Sequence, residues 1–354
     1  MGFLNFLEGL RNPVLDFLFS LITHLGEETL FLVIAIFIFW CVDKRGGYYV
    51  LMTGLIGTVI NQWLKIVCRV PRPWVLESDF KPVGNAIEEA GGYSFPSGHT
   101  QNIAGTFGTI CAFFKRNAVR IAAIVIIVLV AFSRMWLGVH TPKDVGVSLL
   151  VALVLVVGLY PVFSSEERFN KFMPYVVGAA VLLTIGYTVY VNLLDPADYV
   201  MDISVTEDGT VHDPLASALK NGATLLGCML GLLVVYPVDR FVTRFETKAN
   251  WYSQLIKLAL GLGGVMAIKA GLSKPLELLV GVFTESPEYI ARCIRYFLIV
   301  VFAGAVWPMT FKFFGKLKIS FMERFTEWAR AKLPCAKKSA SSPAEAEQCA
   351  DENN

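Results

Sequence analysis

Long apolar blocks alternate with short polar connections along most of the chain. Residues 119–130 and 145–159 form two such blocks, and neither block has a polar face. Helices that are apolar on every side belong in a bilayer rather than on the surface of a soluble protein. The composition agrees, because 55% of the residues are hydrophobic and only 17% are charged, whereas soluble domains carry about a quarter charged residues. The pattern therefore predicts an all-α, polytopic membrane helical bundle.

About nine transmembrane helices are predicted, preceded by an interfacial N-terminal segment. Residues 3–24 are apolar but carry Glu8, Arg11 and Asp16, and Pro13 breaks the run. This pattern favours one or two helices that lie on the membrane over a full span. Two predicted spans, the first and the third, are short for crossing about 30 Å of hydrocarbon. The predicted spans are 28–42, 47–64, 100–114, 119–137, 145–163, 172–194, 217–237, 252–272 and 289–311.

Basic residues concentrate in alternate connections, and this predicts the orientation of the bundle. Lys44 and Arg45 follow the first span, and the connections after the third, fifth, seventh and ninth spans are also basic. By the positive-inside rule this side is cytoplasmic, which puts the N-terminus outside and the C-terminus inside a plasma or inner membrane. The outer connection 195–216 is acidic, with no Lys or Arg. The outer loop 65–98 is instead rich in cations, which departs from the positive-inside pattern. Binding of an anion by this loop would explain the departure.

The sequence Pro96-Ser97-Gly98-His99 stands where this outer loop enters the third span. Ser97 is a suitable helix cap, and Gly98 has no Cβ that would keep an anion from the backbone. Free N–H groups at the N-terminus of a helix bind phosphate oxygens. Taken alone, the motif is equally consistent with an ordinary helix start.

His140 and Asp144 bracket the predicted start of the fifth span. Thr141 and Pro142 fit the cap and the first helical position, so helix capping is one role open to Asp144. The other role is to accept a hydrogen bond from one imidazole nitrogen of His140. That bond would fix the tautomer and leave the other nitrogen free to attack. The spacing permits both roles.

Three cations, Lys65, Arg72 and Arg134, accompany these residues on the predicted outer side. Lys65 ends the second span, where snorkelling to the interface is the simpler explanation. Arg134 lies near the end of an apolar span, where an unpaired charge is costly. It therefore needs a partner, which could be an anionic substrate, Asp144 or Glu77.

Three motifs, K-x6-R-P, P-S-G-H and S-R-x5-H-x3-D, occur in this order in the chain. They resemble the signature of the type-2 phosphatidic-acid phosphatase and vanadium-haloperoxidase superfamily. One short motif is weak, but three in order at set spacing are specific. The motifs cover roughly residues 60–150, and the resemblance implies a membrane core over about 28–194. Every specified position is present, namely Lys65, Arg72, Pro73, Pro96, Ser97, Gly98, His99, Ser133, Arg134, His140 and Asp144.

The resemblance implies a division of labour in phosphoryl transfer. His140 would be the nucleophile that forms a phosphohistidine, and Asp144 would orient it. His99 would protonate the leaving oxygen and then activate the water that hydrolyses the intermediate. The chain shows no cluster with metal-ligand spacing, and three fixed cations could replace a metal, so we expect neither metal nor cofactor. The phosphate-binding residues that the resemblance implies are Lys65, Arg72, Ser97, Gly98 and Arg134.

The chain is predicted to have four segments. An interfacial segment, 1–27, precedes the phosphatase core, 28–194; additional transmembrane helices, 195–312, precede a cytoplasmic amphipathic segment and disordered tail, 313–354. The additional helices contain Lys269, Arg292 and Arg295, which also fall toward the outer side. Their pairing with nearby glutamates (Glu285 or Glu288) or with lipid headgroups is favoured over their lining a pocket.

A phosphatase that hydrolyses a lipid phosphate or diphosphate at the extracytoplasmic face is the favoured function, with membrane lipids as neighbours. A sugar-phosphate phosphatase is the alternative, because the span number and the stretch 213–221 loosely resemble the glucose-6-phosphatase branch. A vanadate-dependent haloperoxidase shares the anion pocket, but nine spans argue against it. A transporter or silent lipid-binding protein would not need a nucleophile with an orienting acid. No basic stripe with interleaved aromatics suggests nucleic acid, and the oligomeric state is left open.

Overall fold

The computed structural model describes residues 1–77, 79–87, 90–202, 204–205, 211–284 and 286–317, together with Met322, Arg324 and Trp328. Most of these residues are helical, which confirms the predicted all-α membrane bundle. The described part of the chain also contains a small antiparallel hairpin, in which β1 (Ser204–Val205) pairs with β2 (Val211–His212). Most of the predicted segment 313–354 lies outside the described residues.

Several of the helices continue into short turns of different pitch. π-Helical turns extend three of them, at Ile38–Val42, Asp239–Thr243 and Phe302–Val306, and 3-10 turns occupy His24–Gly26, Gly84–Ile87, Pro196–Asp202 and Trp307–Thr310. The α-helices are α1 (Gly2–Glu8), α2 (Pro13–Thr23), α3 (Glu28–Phe37), α4 (Lys44–Cys68), α5 (Pro73–Leu76), α6 (Gly98–Phe113), α7 (Asn117–Trp136), α8 (Pro142–Phe163), α9 (Glu166–Asn192), α10 (Pro214–Val238), α11 (Trp251–Gly271), α12 (Ser273–Val280), α13 (Pro287–Val301) and α14 (Phe311–Lys316).

The number of membrane-crossing helices among the described residues is seven or eight, so the predicted count of nine is not confirmed. Seven helical segments are long and apolar enough to cross, and the pair Pro13–Gly26 and Glu28–Val42, bent by 50°, makes an eighth if it forms one span. The predicted span 100–114 corresponds to α6, which has 16 residues. At 1.5 Å per residue, α6 is about 24 Å long, shorter than the roughly 30 Å of hydrocarbon.

The N-terminal segment packs against the end of α7 that carries one of the motifs. Pro13 occupies the first position of α2, and the Asn12 side chain caps it, which confirms the predicted break. Arg11 Nη2 donates to the Trp136 carbonyl at 3.0 Å, and the Trp136 indole donates to Asp16 at 2.9 Å. The polar residues that interrupt this apolar segment thus fix it to the bundle. Its position at the membrane surface stays a prediction.

Helix α4 joins the two halves of the chain at its N-terminal end. Its side chains Tyr48, Tyr49 and Met52 are fully buried. Lys44 Nζ lies 2.8 Å from Asp239 Oδ1, and the Tyr48 hydroxyl donates to Asp239 Oδ2 at 3.2 Å. Breaking such a shielded pair would leave an uncompensated charge. The other end of α4 carries the first motif, so the same helix positions the site.

Helices α10 and α13 approach so closely that their backbones nearly touch. A Cβ on Gly227 would lie 2.2 Å from the Cys293 carbonyl oxygen, and one on Gly231 would lie 2.7 Å from Val300 Cβ. The two glycines form a G-x-x-x-G pattern, which allows membrane helices to pack at short distance. This packing holds the C-terminal helices together beside α4.

We expect Gly227→Ala to destabilise the protein in detergent, because the new methyl group would overlap the backbone of α13. Overpacking of this kind costs about 1–3 kcal/mol. Gly158→Ala is the matched control, since a Cβ there meets nothing within 4 Å and alanine favours a helix by about 1 kcal/mol over glycine. Thermal unfolding followed by size-exclusion chromatography measures both variants. Equal Tm values for the two would contradict the close packing.

Candidate active site

The three motifs, which are separated along the chain, meet at one end of the bundle. Arg72, from the loop after α4, has its Nη1 atom 3.1 Å from Nε2 of His140. His140 precedes α8, and its Nδ1 atom lies 3.6 Å from Oδ2 of Asp144 in the first turn of that helix. The backbone N–H of Ser97, which caps α6, donates to the Asp144 carbonyl at 3.3 Å. One residue of each motif therefore contributes to a single cluster.

Asp144 has the capping role at the start of α8, and its carboxyl group also faces His140 without a hydrogen bond to it. Its Oδ2 accepts hydrogen bonds from the Thr141 backbone N–H at 2.8 Å and from Ser94 Oγ at 2.6 Å, while the Thr141 hydroxyl accepts from the Asp144 N–H. The 3.6 Å separation from His140 Nδ1 is longer than a hydrogen bond. Such contacts in unliganded sites often shorten when the substrate binds.

Ser94 is a site residue that the motifs did not indicate. Its side chain is fully buried and holds the carboxyl group of Asp144, and its backbone N–H donates to the Val70 carbonyl at 2.9 Å. It lies two residues before the P-S-G-H motif, in a loop without periodicity. No sequence signal distinguishes it from other loop serines.

Arg72 is fixed by the carbonyl groups of two loops. Its Nε and Nη2 atoms donate to Gly92 at 3.0 Å and to Gly91 at 2.9 Å, and its Nη1 donates to Val139 at 2.9 Å. The side chain is 6% exposed. The guanidinium group therefore cannot rotate away from the histidine without losing three hydrogen bonds.

The contact between Arg72 and His140 fixes the state of the imidazole. A guanidinium group has donors and no acceptor, so the Nε2 atom that faces it must present a lone pair. The remaining proton of a neutral ring then belongs on Nδ1, toward Asp144. Burial, followed by the charges of Arg72, Arg134 and Lys65, holds the pKa of His140 well below its usual range. At neutral pH the ring is uncharged, and the electron pair on Nε2 accepts the hydrogen bond from Arg72.

The other two cations are buried beside this pair. Lys65 is 8% exposed, and its ammonium group donates to the Tyr93 carbonyl. Arg134 is 1% exposed, and its Nη1 donates to Thr23 Oγ1 at 2.6 Å. Thr23 is thus one partner of Arg134, whereas Glu77, which the sequence suggested, accepts a hydrogen bond from Asn5 at 3.1 Å. The local charge is strongly positive, which suits an anionic ligand.

The P-S-G-H motif begins α6, and its histidine lies against the N-terminal segment. Ser97 Oγ accepts from the Thr100 N–H at 3.4 Å, which confirms its predicted cap. A Cβ on Gly98 would meet Asn61 Oδ1 at 3.9 Å and no other atom within 4 Å. His99 is partly exposed, and a Cβ on Gly26 would lie only 3.0 Å from its Cβ. Neither Gly26 nor Thr23 carried a signal in the sequence.

The arrangement can bind a tetrahedral oxyanion and attack it. Three buried cations and one carboxyl group surround a neutral imidazole whose Nε2 electron pair points at Arg72. Preorganised positive charge stabilises the charge that develops during phosphoryl transfer. In the part of the chain that the structure describes, no group of three His, Cys, Asp or Glu side chains could hold a metal ion.

Two protein-family models match the chain. The PAP2 superfamily model covers residues 45–168, which include every motif, and a model of the transmembrane extension of PAP2 superfamily phosphatases covers 223–319. Undecaprenyl-diphosphatase BcrC of Bacillus subtilis (strain 168) is 33% identical over 147 residues, which are 41% of this chain and 73% of that protein. Phosphatidylglycerophosphatase B of the same strain is 33% identical over 176 residues, 46% of this chain and 81% of that protein.

A solved structure is also similar to the chain. It is the crystal structure of the first transmembrane PAP2 type phosphatidylglycerolphosphate phosphatase from Bacillus subtilis, with 30% sequence identity. The similarity covers 46% of this chain and 82% of that one, with a TM-score of 0.38.

We expect Ser94→Ala to lower the rate of phosphate-ester hydrolysis by about tenfold, because Asp144 would lose a donor. Hydrogen bonds to charged groups contribute about 1.5–3 kcal/mol, and tenfold corresponds to about 1.4 kcal/mol. Ser164→Ala is the matched control, since Ser164 is an exposed serine at the far end of α8. Phosphate release by both purified variants gives the comparison. An unchanged rate in Ser94→Ala would show that this hydrogen bond does not support the site.

Proposed function

The chain belongs to the PAP2 superfamily, and we propose that it hydrolyses a lipid phosphate or diphosphate at the extracytoplasmic face of its membrane, through a phosphohistidine and without a metal. The observation that carries the proposal is the 3.1 Å contact between Arg72 Nη1 and His140 Nε2. This contact keeps a nucleophilic lone pair beside an anion-binding group.

A lipid substrate is supported by the relatives and by the surroundings of the site. The relatives' names specify undecaprenyl diphosphate and phosphatidylglycerophosphate, both of which carry long hydrocarbon chains. The cluster lies at one end of a membrane helical bundle, where the phosphate of an embedded lipid can reach it. The sugar-phosphate alternative was based on nine spans and on the stretch 213–221; the count of nine is not confirmed among the described residues, which contain seven or eight candidate spans.

The first step transfers the phosphoryl group to His140. Its Nε2 lone pair forms a bond to phosphorus while the bond from phosphorus to the ester or anhydride oxygen breaks. His99, protonated in the complex with the anionic substrate, gives its proton to the departing oxygen, and Asp144 stabilises the Nδ1–H of the phosphorylated ring. Lys65, Arg72 and Arg134 offset the charge on the non-bridging oxygens.

The second step hydrolyses the phosphohistidine. His99, now neutral, takes a proton from a water molecule as the water oxygen bonds to phosphorus. The bond between phosphorus and Nε2 breaks, and its electron pair returns to His140. Inorganic phosphate leaves, and His99 carries the proton needed for the next cycle. In this scheme three fixed side chains supply the positive charge that metal ions supply in many other phosphoryl-transfer enzymes.

The extracytoplasmic side of the site is inferred from the distribution of charge. The site lies in the loops opposite the basic connections, and basic connections face the cytoplasm in membrane proteins. The sequence predicts the acidic connection 195–216 on that side too. The product alcohol would therefore remain in the outer leaflet, while phosphate is released to the outer solution.

We expect purified protein in detergent with EDTA to release phosphate from a lipid phosphate, and His140→Ala to lose the activity. The loss should be at least about a thousandfold, as for other enzymes that lack their nucleophile. His24→Ala is the matched control, because its imidazole is exposed and pairs with Glu27. The panel comprises phosphatidic acid, phosphatidylglycerophosphate, a polyprenyl diphosphate and glucose 6-phosphate.

Two results would contradict the proposal. Activity that persists in His140→Ala would exclude this nucleophile, and activity that EDTA abolishes would exclude the metal-independent mechanism. Release from glucose 6-phosphate alone would assign the protein to the sugar-phosphate class.

A further inference from the structure

A second cavity lies outside the histidine site, between α3 and α4 on one side and α10, α11 and α13 on the other. It has an outer compartment of about 160 Å³ and an inner compartment of about 250 Å³. Leu55, Cys228 and Val300 are among the side chains that line both compartments. We call the two together the inter-half groove, because its walls come from both halves of the chain.

The compartments follow one another along the bundle axis. Helix α10 contributes residues within 221–228 to the outer compartment and within 228–235 to the inner one, and the segment of α13 and its π-helical turn contributes 292–300 and then 299–304. Along α3 and α4, too, one stretch lines the outer compartment and the adjoining stretch lines the inner one. The groove therefore runs parallel to the helices, with its outer compartment toward the end that carries the histidine site.

The length of the groove matches one leaflet of a bilayer. On α3 and the π-helical turn that extends it, the wall includes Thr29, Leu32, Ile36 and Phe39, whose spacing puts them on one face of the helix. From Thr29 to Phe39 the chain advances ten residues, a rise of about 15 Å at 1.5 Å per residue. That distance is half of the roughly 30 Å hydrocarbon thickness, which is the depth reached by one lipid chain.

The wall is mainly apolar, and its three charged side chains line the outer compartment, with Lys269 lining the inner compartment as well. Lys269 and Arg292 line that compartment together with Glu28, so cations exceed carboxylates there. Arg292 Nη1 also lies 3.5 Å from Thr224 Oγ1. The sequence favoured pairing with glutamates or lipid headgroups for these two cations, but the structure puts both in a cavity wall. An apolar channel with a positive end complements an anionic lipid.

The outer compartment adjoins the histidine site. Glu28 lies two residues after Gly26, and Gly26 packs against His99. From the other side, Thr58 lines the compartment and lies 3.3 Å from Asn102 Oδ1, one helical turn after His99 on α6. A molecule in the groove would therefore have its outer end within one layer of side chains of the proposed general acid.

We propose that the inter-half groove binds the hydrocarbon chain of the anionic lipid whose phosphate occupies the histidine site. This assignment rests on the proposed function and narrows the substrate to lipids with a chain long enough to fill a leaflet. It gives the transmembrane extension, α10 to α13, a direct part in substrate selection.

The first test is a matched pair of tryptophan substitutions on α11. Leu262 lines the inner compartment, whereas Leu260, two residues away, is 57% exposed on the opposite face. We expect Leu262→Trp to reduce kcat/KM for dioleoyl phosphatidic acid by at least about tenfold, which corresponds to about 1.4 kcal/mol. Hydrolysis of dihexanoyl phosphatidic acid, whose chains end before the inner compartment, should not change. Leu260→Trp should leave both substrates unaffected.

Three results of this test would overturn the assignment. The first is a wild-type protein that does not prefer the long-chain substrate, and the second is a Leu262→Trp variant that retains that preference. The third is an equal loss of kcat/KM on both substrates in a Leu262→Trp variant that keeps the wild-type Tm. The substitution would then affect the histidine site and not the binding of the lipid's hydrocarbon chain.

The second test detects the chain directly and does not need turnover. A phosphatidic acid with a diazirine at the end of a palmitoyl chain is photolysed with the wild-type protein in detergent, and the labelled peptides are mapped by mass spectrometry. We expect adducts on the inner-compartment stretches of α10, α11 or α13, and their loss in Leu262→Trp. Adducts confined to exposed faces would overturn the assignment. Equal labelling by a phosphatidylcholine probe would show an ordinary bilayer lipid in the groove.

These outcomes separate the two proposals. If neither phosphatidic acid is hydrolysed but the label maps to the groove, lipid binding stands and the phosphatase mechanism fails. If hydrolysis depends on His140 but no label reaches the groove, the mechanism stands and the groove assignment fails.

Discussion

The site depends on one contact, the approach of the Arg72 guanidinium group to Nε2 of His140. An arginine has only donors to offer, so the nitrogen that faces it at 3.1 Å must carry a lone pair. The Nδ1–H then points toward Asp144, whose carboxyl group Ser94 and Thr141 hold in place. A cation and a nucleophilic nitrogen can coexist at this distance only because neighbouring carbonyl groups fix the arginine and burial keeps the imidazole neutral.

The rest of the fold serves to keep this contact in place. Helix α4 delivers Lys65 at one end and is tied to the C-terminal half at the other through Lys44 and Asp239. The N-terminal segment packs on the end of α7, where Thr23 binds Arg134. The C-terminal helices, packed through the α10 glycines, form one wall of an apolar groove that ends beside the site. The two proposals thus assign chemistry and hydrophobic recognition to different halves of one bundle.

The sequence identified the motif residues that cluster in the structure, but not the residues that hold them in place. Arg72, His140 and Asp144 lie in motifs, and the structure brings them together. Ser94, Thr23 and Gly26 could not be found, because their roles depend on contacts across the fold and no periodicity or spacing marks them. The predicted count of nine spans is not confirmed, because α6, with 16 residues, is shorter than an ordinary crossing helix and the bent pair Pro13–Gly26 and Glu28–Val42 counts as one span or none. The sequence indicates that Lys269 and Arg292 fall toward the outer side, but only the packing of α3 against the C-terminal helices shows that they line a cavity.

The most direct test of the central claim is to identify the phosphorylated residue. The protein would be mixed with a radiolabelled phosphate ester, quenched in alkali during turnover, and digested for peptide mapping. A phosphohistidine is stable in alkali and labile in acid, so the account predicts an acid-labile label on the peptide that contains His140. The label should be absent in His140→Ala and present in His24→Ala. A label on any other residue, or hydrolysis without a labelled enzyme at any quench time, would contradict the account.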